Sequence, residues 1–446
     1  MLNLASALSS FACSRAATSS RAGRKGGSTP CAKQVFEGLK VADFSWVGVG
    51  PQVGRELAEH GATVVRVESH RAPDSLRTFS PYYEFKTGLD RAPFGVAYNT
   101  QKYSMSLDLK NQRAQEVAKR LVTWADIVTD AFTPGTMAKW GLDYDSCKKI
   151  KPDIIYFSTC QMGQWGPYAN FGGYGFFAAA MAGYSHVTGW PDRDPNVMYN
   201  NYTDFISPWY LTTAVIAALL HRRKTGEGSY MEQSQYEAGV SFMGPALLDC
   251  AVNDRVAGRQ GNRDPYFVPH GAYPCLGNDR WIVISVRRDE EWRALCRVMG
   301  DPSWATDARF ATFLARKENE DELDRLLGEW TKDNTDRELM AVLQANGVPA
   351  GVVQTCEDLV ENDPQLKERR HFRRLPHKVM GMRAWNAPAY ILSETPNDIW
   401  KGGATLGEDN EFVYKDILGY TDDEIADFLV EGVITTETDI PDGLKG

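Results

Sequence analysis

Two features of the sequence could support chemistry: a glycine-containing turn near the start, and a single carboxylate after a long uncharged segment. Gly48, Gly50 and Gly54 follow the first predicted strand, and Glu68 ends the second strand 20 residues after Gly48. This spacing imitates a dinucleotide-binding fingerprint. The third glycine comes one position late, however, and Pro51 removes a backbone N–H that could face a pyrophosphate. A plain glycine turn is therefore favoured over an NAD site, although ligands do bind at the mouth of such a sheet.

Asp204 is the carboxylate. It follows the segment between Asp153 and Asp192, in which His186 is the one side chain that could carry a charge, and it precedes a helix predicted to begin at Trp209. The ordinary interpretation of Asp204 is a helix cap or a solvated acid. The alternative is a carboxylate in an apolar pocket, where partial loss of water makes it a better nucleophile for covalent catalysis.

Cysteine and histidine spacing argues against a bound metal. The eight cysteines form no C-x-x-C pair, and the seven histidines include no H-E-x-x-H. A structural zinc site, a disulfide framework and a zinc hydrolase are all disfavoured. We expect no metal site in this protein and a reduced, cytoplasmic location.

Alternating strands and helices should position these residues. The pattern predicts a doubly wound α/β fold with a parallel sheet. The predicted strands are 39–44, 62–68, 103–109, 126–130, 154–158 and 229–234, and the first helices are 51–60, 112–124, 136–140 and 144–150. A helix over 209–223 and a buried helix from about 235 to 248 follow. After Gly258, a strand at 281–286 and helices at 289–299, 318–330 and 336–346 indicate a smaller second domain. A strand at 351–354 and a helix at 421–429 complete the predicted elements.

Composition sets the class of protein. The chain has 446 residues, of which 43% are hydrophobic and 24% charged, as in ordinary globular proteins. Its net charge is −9, so no overall basic field is available to bind nucleic acid. No stretch reaches the roughly 20 apolar residues that a membrane-spanning helix needs, and we expect neither a nucleic-acid partner nor a membrane span.

Residues 1–36 differ from the rest of the chain. They contain no Asp or Glu but carry Arg15, Arg21, Arg24, Lys25 and Lys33 among Ser, Ala and Gly. This composition is typical of a mitochondrial transit peptide, and a disordered extension explains it equally well. The mitochondrial matrix is thus the alternative location, and residues 1–36 are excluded from the fold.

Short motifs in a fixed order run from about residue 37 to the C-terminus. They are Leu39–Phe44 with Gly50-Pro51, Gly61–Glu68, Asn99–Lys102, Ser106–Lys110, Phe132–Gly135 with Gly141-Leu142, and Ala217–Gly228. As an ordered set they resemble the family III CoA-transferases, which include formyl-, carnitine- and bile-acid-type enzymes and related acyl-CoA racemases.

The resemblance implies a fold and an assembly. A large Rossmann-like CoA-binding domain would be built from residues 37–225 and 347–446, with a smaller α+β domain of residues 226–346 between them. Two such chains would interlock, as a homodimer or as a heteromer with a paralogous subunit.

The resemblance also implies a mechanism. Asp204 occupies the position of the family's nucleophile. It would attack an acyl-CoA to give a mixed anhydride and then an aspartyl-CoA thioester, which an acceptor carboxylic acid resolves. CoA and its thioesters would be substrates, and no cofactor would be bound permanently.

The CoA contacts follow from positions within the matching motifs. They would be Gly48, Val49, Ser69, Leu107, Asp108, Leu109, Lys110, Ala131, Phe132, Thr133 and Lys139. The two lysines are the expected phosphate partners, although each could equally be a solvated lysine. Gly258, Gly261 and Asn262 match a glycine loop that covers the thioester, for which a bare linker turn is the alternative.

Departures from the family pattern limit the choice of reaction. The racemases have Gly-His-Asp where this chain has Gly173-Tyr174-Gly175, so racemization is disfavoured. Ser207-Pro208 replaces Thr-Gly after the nucleophile, which suggests a divergent branch, such as the two-subunit transferases that use succinyl-CoA with benzylsuccinate or malate. Aromatic residues could shape a pocket for an aromatic acid or could simply pack in the core; they are Trp165, Phe176, Phe177, Tyr184, Trp190 and Trp209. A non-catalytic CoA-binding subunit and, less favoured, an NAD-dependent oxidoreductase remain the rival functions.

Overall fold

The computed structural model of the chain describes residues 34–197 and 201–444. Residues 1–33, which make up most of the predicted extension, lie outside the described residues. Near the start of the described residues, the backbone N–H of Phe36 donates to the carbonyl of His60 at 2.9 Å, so the fold includes this residue.

Six parallel strands form the main sheet in the order β3-β2-β1-β4-β5-β6. They are β1 (Lys40–Asp43), β2 (Thr63–Glu68), β3 (Tyr103–Ser106), β4 (Ile127–Asp130), β5 (Ile155–Cys160) and β6 (Ser229–Ser234). The strand order reverses between β1 and β4, and ligands of such sheets bind outside the carboxyl ends of the strands at that point. The predicted α/β fold with a parallel, Rossmann-like sheet is confirmed.

Fifteen α-helices occur in the described part of the chain. They are α1 (Val49–Glu59), α2 (Pro93–Ala97), α3 (Gln112–Trp124), α4 (Tyr144–Ile150), α5 (Gly175–Met181), α6 (Tyr184–Val187), α7 (Tyr202–Thr225), α8 (Gln235–Phe242), α9 (Gly244–Asn253), α10 (Asp289–Val298), α11 (Phe313–Glu318), α12 (Glu320–Thr331), α13 (Asp336–Ala345), α14 (Pro364–Glu368) and α15 (Asp422–Val430). An antiparallel sheet of β7 (His270–Pro274), β8 (Trp281–Ser285) and β9 (Ala350–Val353) and a hairpin of β10 (Phe372–His377) and β11 (Gly381–Asn386) complete the elements.

Helices cover both faces of the main sheet because successive strand residues point to opposite sides. On one face, Ala42 of β1 packs in a core with the apolar stripe of α3, which includes Val117 and Leu121. On the other face, Val41 packs with residues of α1 and α7. Asn111 caps α3 by accepting the N–H of Arg113 at 2.9 Å, which fixes where that helix begins.

A separate apolar core lies in the region of the antiparallel sheet. Its buried members run from Val268 to Val348 and include Ile282, Leu323 and Leu343. The predicted small domain, residues 226–346, contains this core except for Val348, but two strands near its predicted ends pair with the sheet of the other domain. β6 pairs with β5 in the main sheet, and β9 pairs with β8. The strand pairing therefore places β6 with the large sheet and β9 with the small one, and the division into two domains stays a prediction.

The outer edge of the main sheet is covered by the C-terminal part of the chain. The N–H of Ser104 on β3 donates to Asp409 Oδ2 and that of Ser106 donates to Asn410 Oδ1, both at 2.8 Å. These side chains bond backbone N–H groups of β3 that a seventh strand would otherwise use. The β3 edge of the sheet is therefore not free to pair with another chain.

Helix α7 is longer than predicted. It begins at Tyr202 instead of Trp209, so Asp204 lies inside its first turn and not ahead of it. Pro208 lies inside this helix and has no N–H for the carbonyl four residues earlier, which is that of Asp204. The side chain of Gln52 on α1 supplies that hydrogen bond at 2.8 Å. By length and composition α7 could cross a bilayer, but its Leu211 and Val215 are buried against the sheet, as in a core helix.

The helix predicted to be buried after β6 is two helices: α8 buries Ala238 and Gly239, whereas α9 is largely exposed. Although α9 is rich in Ala, Leu and Val, none of its residues is buried, and Leu248 is 64% exposed. An apolar composition usually indicates a core helix, but in the described chain the apolar side chains of α9 are exposed to solvent.

Candidate active site

Asp204 lies in a tight enclosure at the start of α7. Its side chain is buried, and two glycine backbones approach it closely. A methyl group placed on Gly48 would lie 2.9 Å from Asp204 Cγ, and one placed on Gly175 would lie 2.3 Å from Asp204 Oδ1. Gly48 directly precedes α1 and Gly175 begins α5. The carboxylate, itself in the first turn of α7, therefore lies beside the starts of α1 and α5. Only glycine permits this approach of backbone to carboxylate.

Burial determines the chemistry of this acid. It raises the pKa of Asp204 to about 7, and a hydrogen bond from Asn201 opposes the rise in part. A raised pKa makes the carboxylate more basic and more nucleophilic, while a substantial fraction stays ionised near neutral pH. The position in the first turn of a long helix also favours the anion. The arrangement suits a nucleophile that must be reactive and yet remain charged.

The raised pKa predicts the pH dependence of any reaction that needs the Asp204 anion. Below about pH 7 the acid is protonated, so kcat/KM for an acyl-CoA should fall roughly tenfold per pH unit, and above it the rate should level off. Measuring kcat/KM between pH 5.5 and 8.5 checks this. A flat profile across that range would contradict a nucleophilic Asp204 with this environment.

The loop that carries Gly48 is held by buried charges. The N–H of Val47, whose φ is 64°, donates to Asp74 Oδ2 at 2.9 Å, and the N–H of Ser45 donates to Asp43 Oδ1 at 3.0 Å. A positive φ is unfavourable for a β-branched residue, so these bonds maintain a strained turn. The turn places Gly48 against Asp204.

Beneath the loop lies a network of buried ion pairs. Arg66 bonds Glu68 at 3.0 Å and also bonds Asp74, and Arg77 bonds Glu68 through two nitrogens at 2.8 and 2.9 Å. Arg77 also reaches Asp90 at 2.6 Å. Burial alone would raise the pKa of Glu68, but the two guanidinium groups outweigh it and hold that pKa well below its usual range. The network connects β2 to the loop beside Asp204.

Six of the predicted CoA contacts line one pocket at the carboxyl ends of β1 to β4. They are Ser69, Leu107, Asp108, Leu109, Lys110 and Phe132. Aromatic rings form the other wall: Phe132 packs edge-on against Trp46 and Trp140, with ring centroids 5.2 and 5.6 Å apart. The pocket thus combines an aromatic slot with polar groups at its rim.

The other predicted contacts lie elsewhere. Gly48 lies at Asp204, and the side chain of Val49 packs in the core between α1 and the sheet. Ala131 is half-buried after β4, and Thr133 lines a neighbouring pocket with Tyr156 and Tyr230. Lys139 is exposed on the turn Met137–Trp140 and lines neither pocket. A CoA contact by these residues stays a prediction.

Sequence reasoning missed Arg71, a cation close to the pocket that the six predicted contacts line. Its guanidinium bonds Asp108 at 3.2 Å and Asp439 at 2.8 Å, and it is 42% exposed. The C-terminal part of the chain also contacts a residue that lines the pocket, since the N–H of Asp108 donates to the carbonyl of Val433 at 3.0 Å. A basic residue three positions after the end of a parallel strand was the signal that could have revealed it.

The predicted glycine loop packs against the segment ahead of α7. The N–H of Gly261 donates to the carbonyl of Gly189 at 2.8 Å, and the ring of Trp190 covers Gly261. Gly258 and Asn262 are exposed. None of the contacts described for this loop reaches Asp204, so its role over a thioester stays a prediction.

Comparison with known proteins shows the family of this chain. The family model for CoA-transferase family III matches residues 36–410. The chain belongs to CoA-transferase family III. It is therefore a CoA-transferase, an enzyme that moves CoA from an acyl-CoA.

Several relatives match this CoA-transferase over most of its length. The succinyl-CoA–D-citramalate CoA-transferase of Chloroflexus aurantiacus is 30% identical over 90% of this chain and 98% of its own. The succinate–glutarate CoA-transferase of Agrobacterium fabrum is 31% identical over 76% of this chain and 85% of its own. The crystal structure of a CAIB/BAIF family protein from Brucella suis, 30% identical, superposes with a TM-score of 0.79 over 86% of this chain and all of the other.

Within the family the geometry explains one departure. At Gly175, where the racemases have an acid, Asp204 Oδ1 lies 2.3 Å from the place a Cβ would take. A side chain at this position and the present placement of Asp204 exclude each other. The glycine is thus required by the way this CoA-transferase holds its carboxylate.

Proposed function

We propose that this protein transfers CoA from an acyl-CoA, with succinyl-CoA as the expected donor, to an organic carboxylic acid through covalent intermediates on Asp204. The observation that supports this most directly is the enclosure of a single buried carboxylate, with its pKa raised to about 7, by the backbones of Gly48 and Gly175. Such an acid suits covalent catalysis, which divides one difficult transfer into easier steps.

The steps balance without a redox change. Asp204 attacks the carbonyl carbon of the donor thioester, the C–S bond breaks, and a mixed anhydride and CoA thiolate form. The thiolate attacks the Asp204 carbonyl, which releases the donor acid and leaves an aspartyl-CoA thioester. The acceptor carboxylate then attacks this thioester to form a second anhydride, and CoA thiolate attacks the acceptor carbonyl to give the new acyl-CoA and free Asp204. The steps themselves require no metal or permanently bound cofactor.

The surroundings of Asp204 suit an anhydride intermediate. An anhydride reacts readily with water, so a productive site must limit water at the reacting carbon. Asp204 is 5% exposed, and the Gly48 and Gly175 backbones lie directly against it. Burial therefore supports both the reactivity of the acid and the survival of its acyl form.

The pocket lined by Ser69, Lys110 and Phe132 would take the nucleotide end of CoA. Its aromatic slot can stack an adenine, and Lys110 and Arg71 at the rim can bind phosphates. Because the chain as a whole is acidic, with a net charge of −9, these local cations would supply the attraction.

The reaction can be tested with the purified chain alone. We expect that incubation with succinyl-CoA and a panel of carboxylic acids yields free succinate and a new acyl-CoA in equal amounts by mass spectrometry. Product formation only after addition of a paralogous chain would instead support the rival of a non-catalytic CoA-binding subunit.

The exposed apolar surface of α7 to α9 supports the proposed interlocked dimer. Leu248 and Val252, four residues apart on one face of α9, are 64% and 69% exposed, Leu220 on α7 is 53% exposed, and exposed apolar patches mark protein interfaces. An identical chain is the occupant we propose, with a paralogous subunit as the alternative.

Leu248→Arg should weaken that assembly because it introduces a charge into the apolar surface. Light scattering coupled to size-exclusion chromatography should give twice the chain mass for the wild type and a larger monomer fraction for the variant. Leu314→Arg, at a 70% exposed leucine on α11, is the matched control and should remain dimeric. A wild-type chain that is monomeric at micromolar concentration would contradict the proposed dimer.

The cytoplasmic location stays a prediction. The basic residues that suggested a mitochondrial address fall within residues 1–33, outside the described residues.

A further inference from the structure

Gln161 is a buried side chain that the described fold leaves without a partner. It is 7% exposed, and neither its Oε1 nor its Nε2 has a hydrogen-bond partner among the described residues. Leaving a buried polar group unpaired costs on the order of 1–3 kcal/mol, so such groups in native proteins call for an explanation. A ligand that completes the bonding is one such explanation.

The backbone of Gln161 is held firmly. Its carbonyl accepts the N–H of Tyr236 at 2.9 Å and the hydroxyl of Ser234 at 3.3 Å. The residue follows β5 directly, at the carboxyl end of the main sheet. The unpaired amide is therefore presented from a rigid element, as a recognition group should be.

The amide lies close to the enclosure of Asp204. Gln161 Oε1 is 3.0 Å from where a Cβ on Gly173 would be, and Asp204 Oδ1 is 2.3 Å from the corresponding point on Gly175. Tyr174 between them is extended, with φ −115° and ψ 165°, so the two glycines lie about 7 Å apart at roughly 3.3–3.6 Å per residue. That separation suits the two ends of a short diacid.

We propose that Gln161 is a specificity-determining residue that binds the far carboxylate of a short dicarboxylic acid whose near carboxyl reacts at Asp204. The inference rests on the proposed function and adds the substrate class. The two N–H groups of the carboxamide donate to the far carboxylate, and a hydrocarbon end would leave them unpaired. The substrates are then diacids of about four or five carbons, and monocarboxylic acids of equal length are poor.

Phe177 controls access to Gln161. Its ring lies against Gly173, 2.7 Å from the point where a Cβ would be, and so covers the amide from the same side. The side chain is 42% exposed, and its ring packs against that of Phe176 with centroids 4.2 Å apart, so a substrate reaches the amide only when this ring turns outward. Gly172 and Gly173 have no side chains that would obstruct the opened path.

Gln161→Leu tests the proposal. It keeps the volume of the side chain and removes the donors, so kcat/KM for glutarate and succinate as acceptors should fall about 10- to 100-fold. The value for valerate and butyrate should change less than about threefold. Gln235→Leu is the matched control, because Gln235 also has a buried oxygen with no partner among the described residues. It should leave kcat/KM unchanged for both the diacids and the monoacids.

Further outcomes separate the failure of this inference from that of the proposed function. Equal changes for diacids and monoacids in Gln161→Leu would overturn the role of Gln161, even if Asp204 proves essential. Gln161→Glu should exclude diacids more strongly, because it sets a carboxylate against a carboxylate. If neither variant folds, the wild type still decides, since equal kcat/KM for glutarate and valerate would overturn the substrate class. Absence of any CoA transfer by the wild type would instead reject the proposed function.

Discussion

Asp204→Asn is expected to reduce CoA transfer by at least about 10,000-fold, the scale seen when a covalent nucleophile is removed. The amide has the size of the carboxylate but cannot attack a thioester carbonyl. Since the change removes a buried charge with a raised pKa, we expect the melting temperature to stay the same or to rise. Initial rates with succinyl-CoA, together with calorimetry, measure both effects.

Trapping separates a nucleophilic role from a structural one. Hydroxylamine added during turnover should inactivate the wild type and leave a hydroxamate on the peptide that contains Asp204, and Asp204→Asn should show neither effect. Asp333→Asn, at an exposed aspartate, should behave as the wild type in every assay. Full activity of Asp204→Asn would show that another group forms the intermediate.

Arg77→Met is expected to destabilise the protein by about 3–5 kcal/mol, the usual cost of breaking a buried ion pair from one side. Arg77 is 2% exposed, and its loss leaves Glu68 with Arg66 alone and removes the bond to Asp90. The same guanidinium helps to hold the pKa of Glu68 below its usual range. The stability that Glu68 contributes is therefore fully present above about pH 4.5 and declines as the pH falls further.

Urea unfolding of wild type and variant measures this cost. Arg325→Met is the matched control, because Arg325 also contacts two carboxylates, Glu322 and Glu329, but is 52% exposed. Water screens exposed ion pairs, so the control should unfold at nearly the same urea concentration as the wild type. Similar losses in the two variants would show that the buried network contributes no more than surface pairs.

The local elements of the fold could be predicted from the sequence. The helix expected at 112–124 is α3 with the same bounds, because an Asn cap and an apolar stripe are both encoded within those residues. The strand expected at 229–234 is likewise β6. Periodicity and capping are local signals, and they also fixed the parallel sheet through the alternation of strands and helices.

Contacts between distant residues could not be predicted. The start of α7 was predicted too late. Pro208 provides no N–H for the Asp204 carbonyl, and the donor that replaces it belongs to Gln52, 152 residues away in the sequence. The contacts of Arg71 and Asp108 with the C-terminal part of the chain were missed for the same reason. The resemblance to the family pointed to Asp204 and to six residues that line one pocket, whose roles stay predictions. Arg71, the Gly175 contact and the unpaired Gln161 amide required three-dimensional geometry.

The cover over β3 affects when the main sheet is complete during synthesis. Ser106 on β3 bonds Thr435, which is 329 residues away, and Asp409 and Asn410 cover the same strand. A ribosome adds about 5–20 residues per second, so many seconds separate the emergence of β3 from that of its cover. During that interval β3 is an unprotected sheet edge, which can pair with other chains. The order of synthesis therefore leaves the nascent chain prone to aggregation until residues 409–435 have left the ribosome.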